Sequence, residues 1–239
     1  MITKIHKADT RGYADHGWLK AKHSFSFASY YDESRVHFGL LRVLNDDIVE
    51  PAMGFGTHPH DNMEIVTIPL VGTLEHKDSM GHIEVLRPGE IQIMSAGRGL
   101  RHSEYNHSAT ELVNLLQIWV FPNERDIEPR YDQRVFDDEG KKNSFQTLVS
   151  PDKKNKDTMW INQNAYFSLA KIDSGKEVNY KVNSKGNGVY VFIIEGAVTI
   201  DGQDFEKRDG IGIEESDIIS VKANRNCYVL AIEIPMKQK

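Results

Sequence analysis

The chain has 239 residues, 29 of them basic and 35 acidic, for a formal net charge of −6. That length allows one large domain or two small ones of ~100–200 residues, and 39% hydrophobic with 27% charged residues marks a folded chain rather than a disordered one. No run approaches ~18 apolar residues, which excludes a membrane-spanning helix, and the single cysteine, Cys227, excludes a disulfide framework and a thiolate-rich metal site.

Charge also argues against nucleic acid. Residues 1–120 carry 11 basic and 15 acidic side chains and the remainder 18 and 20, so neither part is basic. A nucleic-acid surface needs a positive patch that displaces counterions from phosphates. The local basic clusters, Lys141-Lys142 and Lys153, Lys154 and Lys156, sit in polar, loop-like sequence. The opening MITKIHKADTRG lacks the apolar core of a secretory signal, so the expected location is the cytoplasm, with neither membrane nor nucleic acid as partner.

Along the chain the pattern is β. An aromatic stretch containing His16 and His23 comes first, where packed histidines are expected. Next comes Gly54-Phe55-Gly56-Thr57-His58-Pro59-His60-Asp61-Asn62-Met63-Glu64. Residues i and i+2 of an extended chain share a face, so His58 and His60 can converge on one metal ion. Strands are expected at Glu64–Leu70, Ile83–Leu86 and Ile91–Met94. In Gly97-Arg98-Gly99-Leu100-Arg101-His102-Ser103-Glu104, His102 and Glu104 repeat the i, i+2 spacing. The glycines there lack the third Gly of a dinucleotide fingerprint, and no helix pattern follows. His76, His82 and His107 read as surface or loop residues. Glu64 is open between a third ligand of the first motif, a residue behind the ligands and a solvent-facing strand carboxylate.

Leu112–Phe121 is the next expected strand. From Phe121 to about Met159, prolines and charges replace apolar pairs, which reads as a linker with a short strand near Ser144–Ser150. Strands are then expected at Val189–Ile194, Ala197–Ile200, Asp217–Val221 and Tyr228–Ile234, with a hairpin turn at Asp201-Gly202. A strand–Gly–strand unit followed by a second Gly turn occurs twice, at Gly72 and Gly89 and at Gly196 and Gly210, a faint internal repeat. All ten histidines lie at or before His107, so a histidine-ligated metal belongs to the first half. Three imidazoles and one carboxylate suit a divalent ion of borderline softness, such as Fe, Mn, Co, Ni, Cu or Zn. Because a ligating histidine must be neutral, affinity is expected to fall as pH drops through ~6.5.

These motifs resemble the cupin superfamily and, within it, the pirin family. Gly56, His58, His60, Glu64 and Gly72 follow the first cupin motif, and Gly97, Gly99, His102 and Glu104 the second. The stretches Gln92–Gly97 and Arg101–Asn106, with Leu41–Asp47, Gln117-Ile118-Trp119 and Pro129-Arg130-Tyr131, extend the resemblance over nearly all of residues 1–135. One departure is Gly97, where cupins usually carry proline. The resemblance implies an all-β bicupin of two jelly-roll-like β-barrels arranged face to face. Residues 1–135 would form the metal-binding barrel with its connecting segment, and residues 136–239 a degenerate barrel without ligands. It implies His58, His60, His102 and Glu104 as ligands of one divalent transition metal per chain, iron foremost, with Glu64 behind them. The implied activity is cleavage of a flavonol such as quercetin, or a related phenolic or enediol, by O2 with release of CO, with Glu104 as the base. The alternative is a non-enzymatic, metal- or redox-responsive regulator that binds a partner protein.

Overall fold

The computed structural model describes residues 1–238 of the chain. Strands dominate, and the helical pieces among the described residues are the single turns Ala8–Thr10, Glu33–Arg35 and Glu139–Lys141. Every strand expected from the sequence is present within a residue or two, including Glu64–Val71, Val113–Val120, Ala197–Ile200 and Cys227–Pro235. No helix is long and apolar enough to cross a membrane.

The chain forms two compact units. The N-terminal unit comprises Gly12–His37 and Leu41–Phe136, and the C-terminal unit comprises Met1–Arg11, Phe38–Leu40 and Asp137–Lys239. The expected division at residue 135 therefore misplaces the start of the chain. Ile2–His6 is an edge strand of the C-terminal unit, paired antiparallel with Gly210–Glu214. The linker reading also needs correction, because Arg130–Val135 pairs antiparallel with Glu90–Ser95. Its residues are mostly polar and half-buried, so an edge position carries none of the apolar alternation that signals a strand.

Each unit is a seven-stranded sheet opposed by a four-stranded one. In spatial order the larger N-terminal sheet runs Arg130–Val135, Glu90–Ser95, Glu64–Val71, Val113–Val120, Leu41–Val49, Leu19–His23 and Gly12–Asp15. Its partner runs Gly54–His60, Leu100–Asn106, Leu74–Asp78 and Ile83–Leu86. The C-terminal unit repeats this plan. Its larger sheet runs Ile2–His6, Gly210–Glu214, Asn187–Glu195, Cys227–Pro235, Tyr166–Ile172, Gln146–Ser150 and Met159–Trp160. Its smaller sheet runs Glu177–Lys181, Ile218–Ala223, Ala197–Ile200 and Gln203–Glu206. The sequence repeat is thus a structural one: Gly72 and Gly196 occupy the same turn, with φ of 73° and 84°, a conformation that favours glycine.

Apolar residues from both sheets of a unit meet between them. In the N-terminal unit, Val49, Val113 and Leu115 of the large sheet pack with Leu74 and Leu86 of the small one. In the C-terminal unit, Val191, Ile193 and Val229 meet Val198, Phe205 and Val221. Cys227–Pro235 is buried on both faces, so its alternation does not separate core from solvent.

Candidate metal centre

An edge strand of the small N-terminal sheet and the strand beside it build the site. Leu100–Asn106 and Gly54–His60 run antiparallel with His102 opposite His58. Two residues further on, Glu104 faces Phe55, so the Gly54–His60 strand carries one extra residue at Gly56-Thr57. Such a bulge re-aims the side chains beside it. The close approach requires Gly54, where a Cβ would collide with the backbone of Glu104 and Tyr105.

His58, His60 and His102 converge, with ring centroids 4.4 to 4.8 Å apart. The ligand atoms they offer lie within 4.8 Å of one another. The His58 Nδ1–H donates to the Gly56 carbonyl at 2.8 Å, which leaves Nε2 free to coordinate. Both ring nitrogens of His102 are buried without a hydrogen-bond partner. Burial, reinforced by His58 and His60, drives His102 down to about 2. Burial followed by the charge of His58 takes His60 down to about 4. These imidazoles stay neutral and present lone pairs.

Glu104 is 3% exposed. Its Oε2 accepts from Gln117 Nε2 at 2.8 Å, and Thr67 Oγ1 donates to Gln117 Oε1 at 3.0 Å, which fixes the amide. The other oxygen, Oε1, is buried without a partner. Burial, only partly offset by Gln117, raises the carboxyl to about 7. Three imidazoles and a carboxyl group, with buried atoms lacking protein partners, are side chains of the kind that could hold a divalent transition metal.

The structure adds a residue that sequence reasoning assigned to the surface. His76, opposite Glu104 in the neighbouring strand, is fully buried. Its ligand atom joins those of His102 and Glu104 in a second close group. Asp78 Oδ2 lies 3.4 Å from His76 Nε2 and 2.8 Å from His82 Nδ1, and Tyr131 stacks against both rings. The spacing His76-X-Asp78 was the available signal, hidden because nothing local shows that this strand flanks the His102 strand. His107 is half exposed, as expected.

Glu64 belongs to neither group. It is buried in the large sheet, where Ser95 Oγ donates to its Oε2 at 2.8 Å and Arg130 Nε donates to Ser95 Oγ at 3.1 Å. Gly97 explains the departure from proline. Its φ is +49°, outside the range a proline ring allows, and a Cβ there would strike the Ile127 carbonyl.

The C-terminal unit shows what the same frame becomes without ligands. Leu74 pairs Asn106 in one unit and Val198 pairs Ala223 in the other, so Glu104 corresponds to Val221 and His102 to Ile219. Across the next ladder His58 corresponds to Tyr180, which faces Ile219. All three replacements belong to the buried core. The Tyr180 hydroxyl donates to Glu233 Oε2 at 3.0 Å rather than facing a cation.

The match of residues 4–120 to the Pirin family profile, and of 147–234 to the Quercetinase C-terminal cupin domain, agrees with this geometry. The chain belongs to the pirin family. It is 44% identical over 232 residues to the quercetin 2,3-dioxygenase of Escherichia coli K12, covering 97% of this chain and 98% of that protein. A pirin-like protein of Caulobacter vibrioides is 36% identical, covering 94% and 96%. The crystal structure of the bacterial pirin YhhW of E. coli in complex with nickel(II) matches with a TM-score of 0.92 and 41% identity, over 98% of this chain and 99% of that one. Among the described residues of this pirin, the histidine cluster lies in the N-terminal unit, beside a cavity of about 240 Å3 lined by Phe27, Phe55, His58, His60 and Trp119.

Proposed function

We propose that this pirin is a metal-dependent dioxygenase that cleaves a flavonol such as quercetin, or a related phenolic or enediol, with O2 and release of CO. The observation that carries the reading is the His58, His60 and His102 cluster, with Glu104 grouped to His102, at an apolar cavity that His58, His60 and Glu104 line. We assign these four as ligands of one divalent transition metal per chain. Iron is the expected native ion, and the nickel(II) complex of the E. coli relative supports a divalent centre. Held by His58, His60, His102 and Glu104, such an ion would supply Lewis acidity toward the flavonol 3-hydroxyl.

The protein's own part is binding and proton transfer. Phe27, Phe55 and Trp119 offer apolar surface to a planar ring system. Glu104 Oε1 has no competing hydrogen bond, so it can take the 3-hydroxyl proton, while Gln117 holds Oε2 in place. The apolar cavity keeps bulk water from the anion so formed. The test is oxygen uptake and CO release by the metal-loaded protein with a panel of flavonols. A loaded protein that consumes no oxygen with any of them refutes the dioxygenase reading.

A further inference from the structure

A second cavity, of about 280 Å3, adjoins the one at the metal centre. Phe27, Asn45, Asp47 and Phe55 line both, and Trp18, edge-on to Phe55 at 5.2 Å, lines the second, which we call the outer chamber. Each chamber alone falls below the ~300–1,000 Å3 of an ordinary ligand pocket. Across the four side chains they share, the two together offer volume on the scale of two linked ring systems.

The shared wall is aromatic except for Asn45 and Asp47, which lie two apart on the Leu41–Val49 strand and so share a face. Asn45 is engaged, its Oδ1 lying 2.9 Å from His23 Nδ1. Asp46 points the opposite way and accepts from Asn114 Nδ2 at 2.8 Å. Asp47 is different. It is 4% exposed, and its Oδ1 is buried without a hydrogen-bond partner. A buried polar atom left unpaired is costly, and a site that lines a ligand cavity is where that cost is reversed by binding.

Resting on the flavonol reading, we propose that Asp47 is a specificity-determining residue that hydrogen-bonds an oxygen substituent on the ring seated in the outer chamber. The favoured ligand is then a chelating phenolic whose second aromatic ring also carries hydroxyl groups. Burial, followed by the charges of Asp46 and Glu104, holds the Asp47 carboxyl well above the usual carboxylate range. Either form of the carboxyl can hydrogen-bond a ring hydroxyl, since an ionised one accepts and a protonated one also donates.

The test uses the full chain loaded with nickel(II), without oxygen, titrated with quercetin and with 3-hydroxyflavone while the flavonol absorption band is followed. The unaltered protein should bind quercetin more tightly. Asp47→Leu should weaken quercetin by about 10-fold or more while moving 3-hydroxyflavone by less than ~3-fold, and Asp47→Asn, which keeps a donor and an acceptor, should restore quercetin binding. Equal effects of Asp47→Leu on both ligands, or none on quercetin, overturn the assignment and leave the flavonol reading standing. Should Asp47→Leu not fold, an unaltered protein that binds both flavonols equally well overturns it alone. Binding of neither flavonol by the unaltered protein overturns the flavonol reading and this inference with it.

Discussion

His102 and His58 face each other across an antiparallel ladder, their rings 4.4 Å apart, and the extra residue at Gly56-Thr57 shifts the register before Glu104 meets Phe55. The His58/His60 and His102/Glu104 pairs therefore come from adjacent strands of one sheet. Variants of the two faces should separate cleanly. His58→Ala, His60→Ala and His102→Ala should each lose most bound metal from a stoichiometry of about one per chain. His76→Ala should retain it, because His76 Nε2 lies 3.4 Å from Asp78 Oδ2 and His76, unlike Glu104, does not line the cavity. Metal analysis after gel filtration decides, and loss of metal from His76→Ala with retention in His58→Ala would reverse the ligand assignment.

The two glutamates should differ in kind. Glu104→Gln keeps size and one coordinating oxygen but not the basic charge, so turnover should fall by ~10²–10⁴-fold with a smaller loss of metal. Glu64→Gln should leave metal content near normal and instead lower the melting temperature, since it weakens the buried Arg130–Ser95–Glu64 relay. Flavonol turnover and thermal unfolding measured on both variants check the pair. Near-normal turnover in Glu104→Gln with abolished turnover in Glu64→Gln would show the roles exchanged.

The pH dependence of metal binding should be set by Glu104 rather than by His60 or His102. His60 and His102, held down to about 4 and about 2, stay neutral well below the ordinary histidine range. Glu104, raised to about 7, carries a proton below that pH which an incoming cation must displace. Affinity should thus fall as pH drops through about 7 rather than through the ~6.5 expected of free imidazole. The metal-free protein gives the complementary sign. The folded carboxyl is raised above its ordinary 4.5, so its contribution to stability is present below that value and lost as pH rises through about 7. Unfolding of metal-free protein and of Glu104→Gln across this range should show the variant gaining relative stability as pH rises.

Trp119 should report on the centre. Its ring is 4.9 Å from His60 and edge-on to it. Nickel(II) titration should quench tryptophan emission, and Trp119→Phe should remove most of that quenching while Trp160→Phe should not.

The C-terminal unit should contribute stability without metal. Phe205, 1% exposed in its core, should cost ~3–5 kcal/mol on truncation to Ala, with the metal content of the folded fraction unchanged. Denaturant unfolding followed by metal analysis tests both halves of the statement.

Much was written locally in the chain. Val- and Ile-rich runs fixed the strands, because burial of alternating side chains is a property of a few consecutive residues. The i, i+2 pairs His58/His60 and His102/Glu104 were legible for the same reason, since an extended backbone alone sends both side chains to one face. Confinement of histidine to the first half placed the centre in one unit, and Gly72 and Gly196 marked a repeat. Tertiary structure decided whatever depends on which strands become neighbours. It took His76 from the surface to the side of Glu104, seated Glu64 with Ser95 and Arg130, and gave Ile2–His6 to the C-terminal unit. It also set the protonation of the site, because the burial that raises Glu104 and lowers His102 comes from residues distant in sequence. Pairing between strands is a long-range relation that no short window of sequence contains, whereas the direction of a side chain along a strand is a local one.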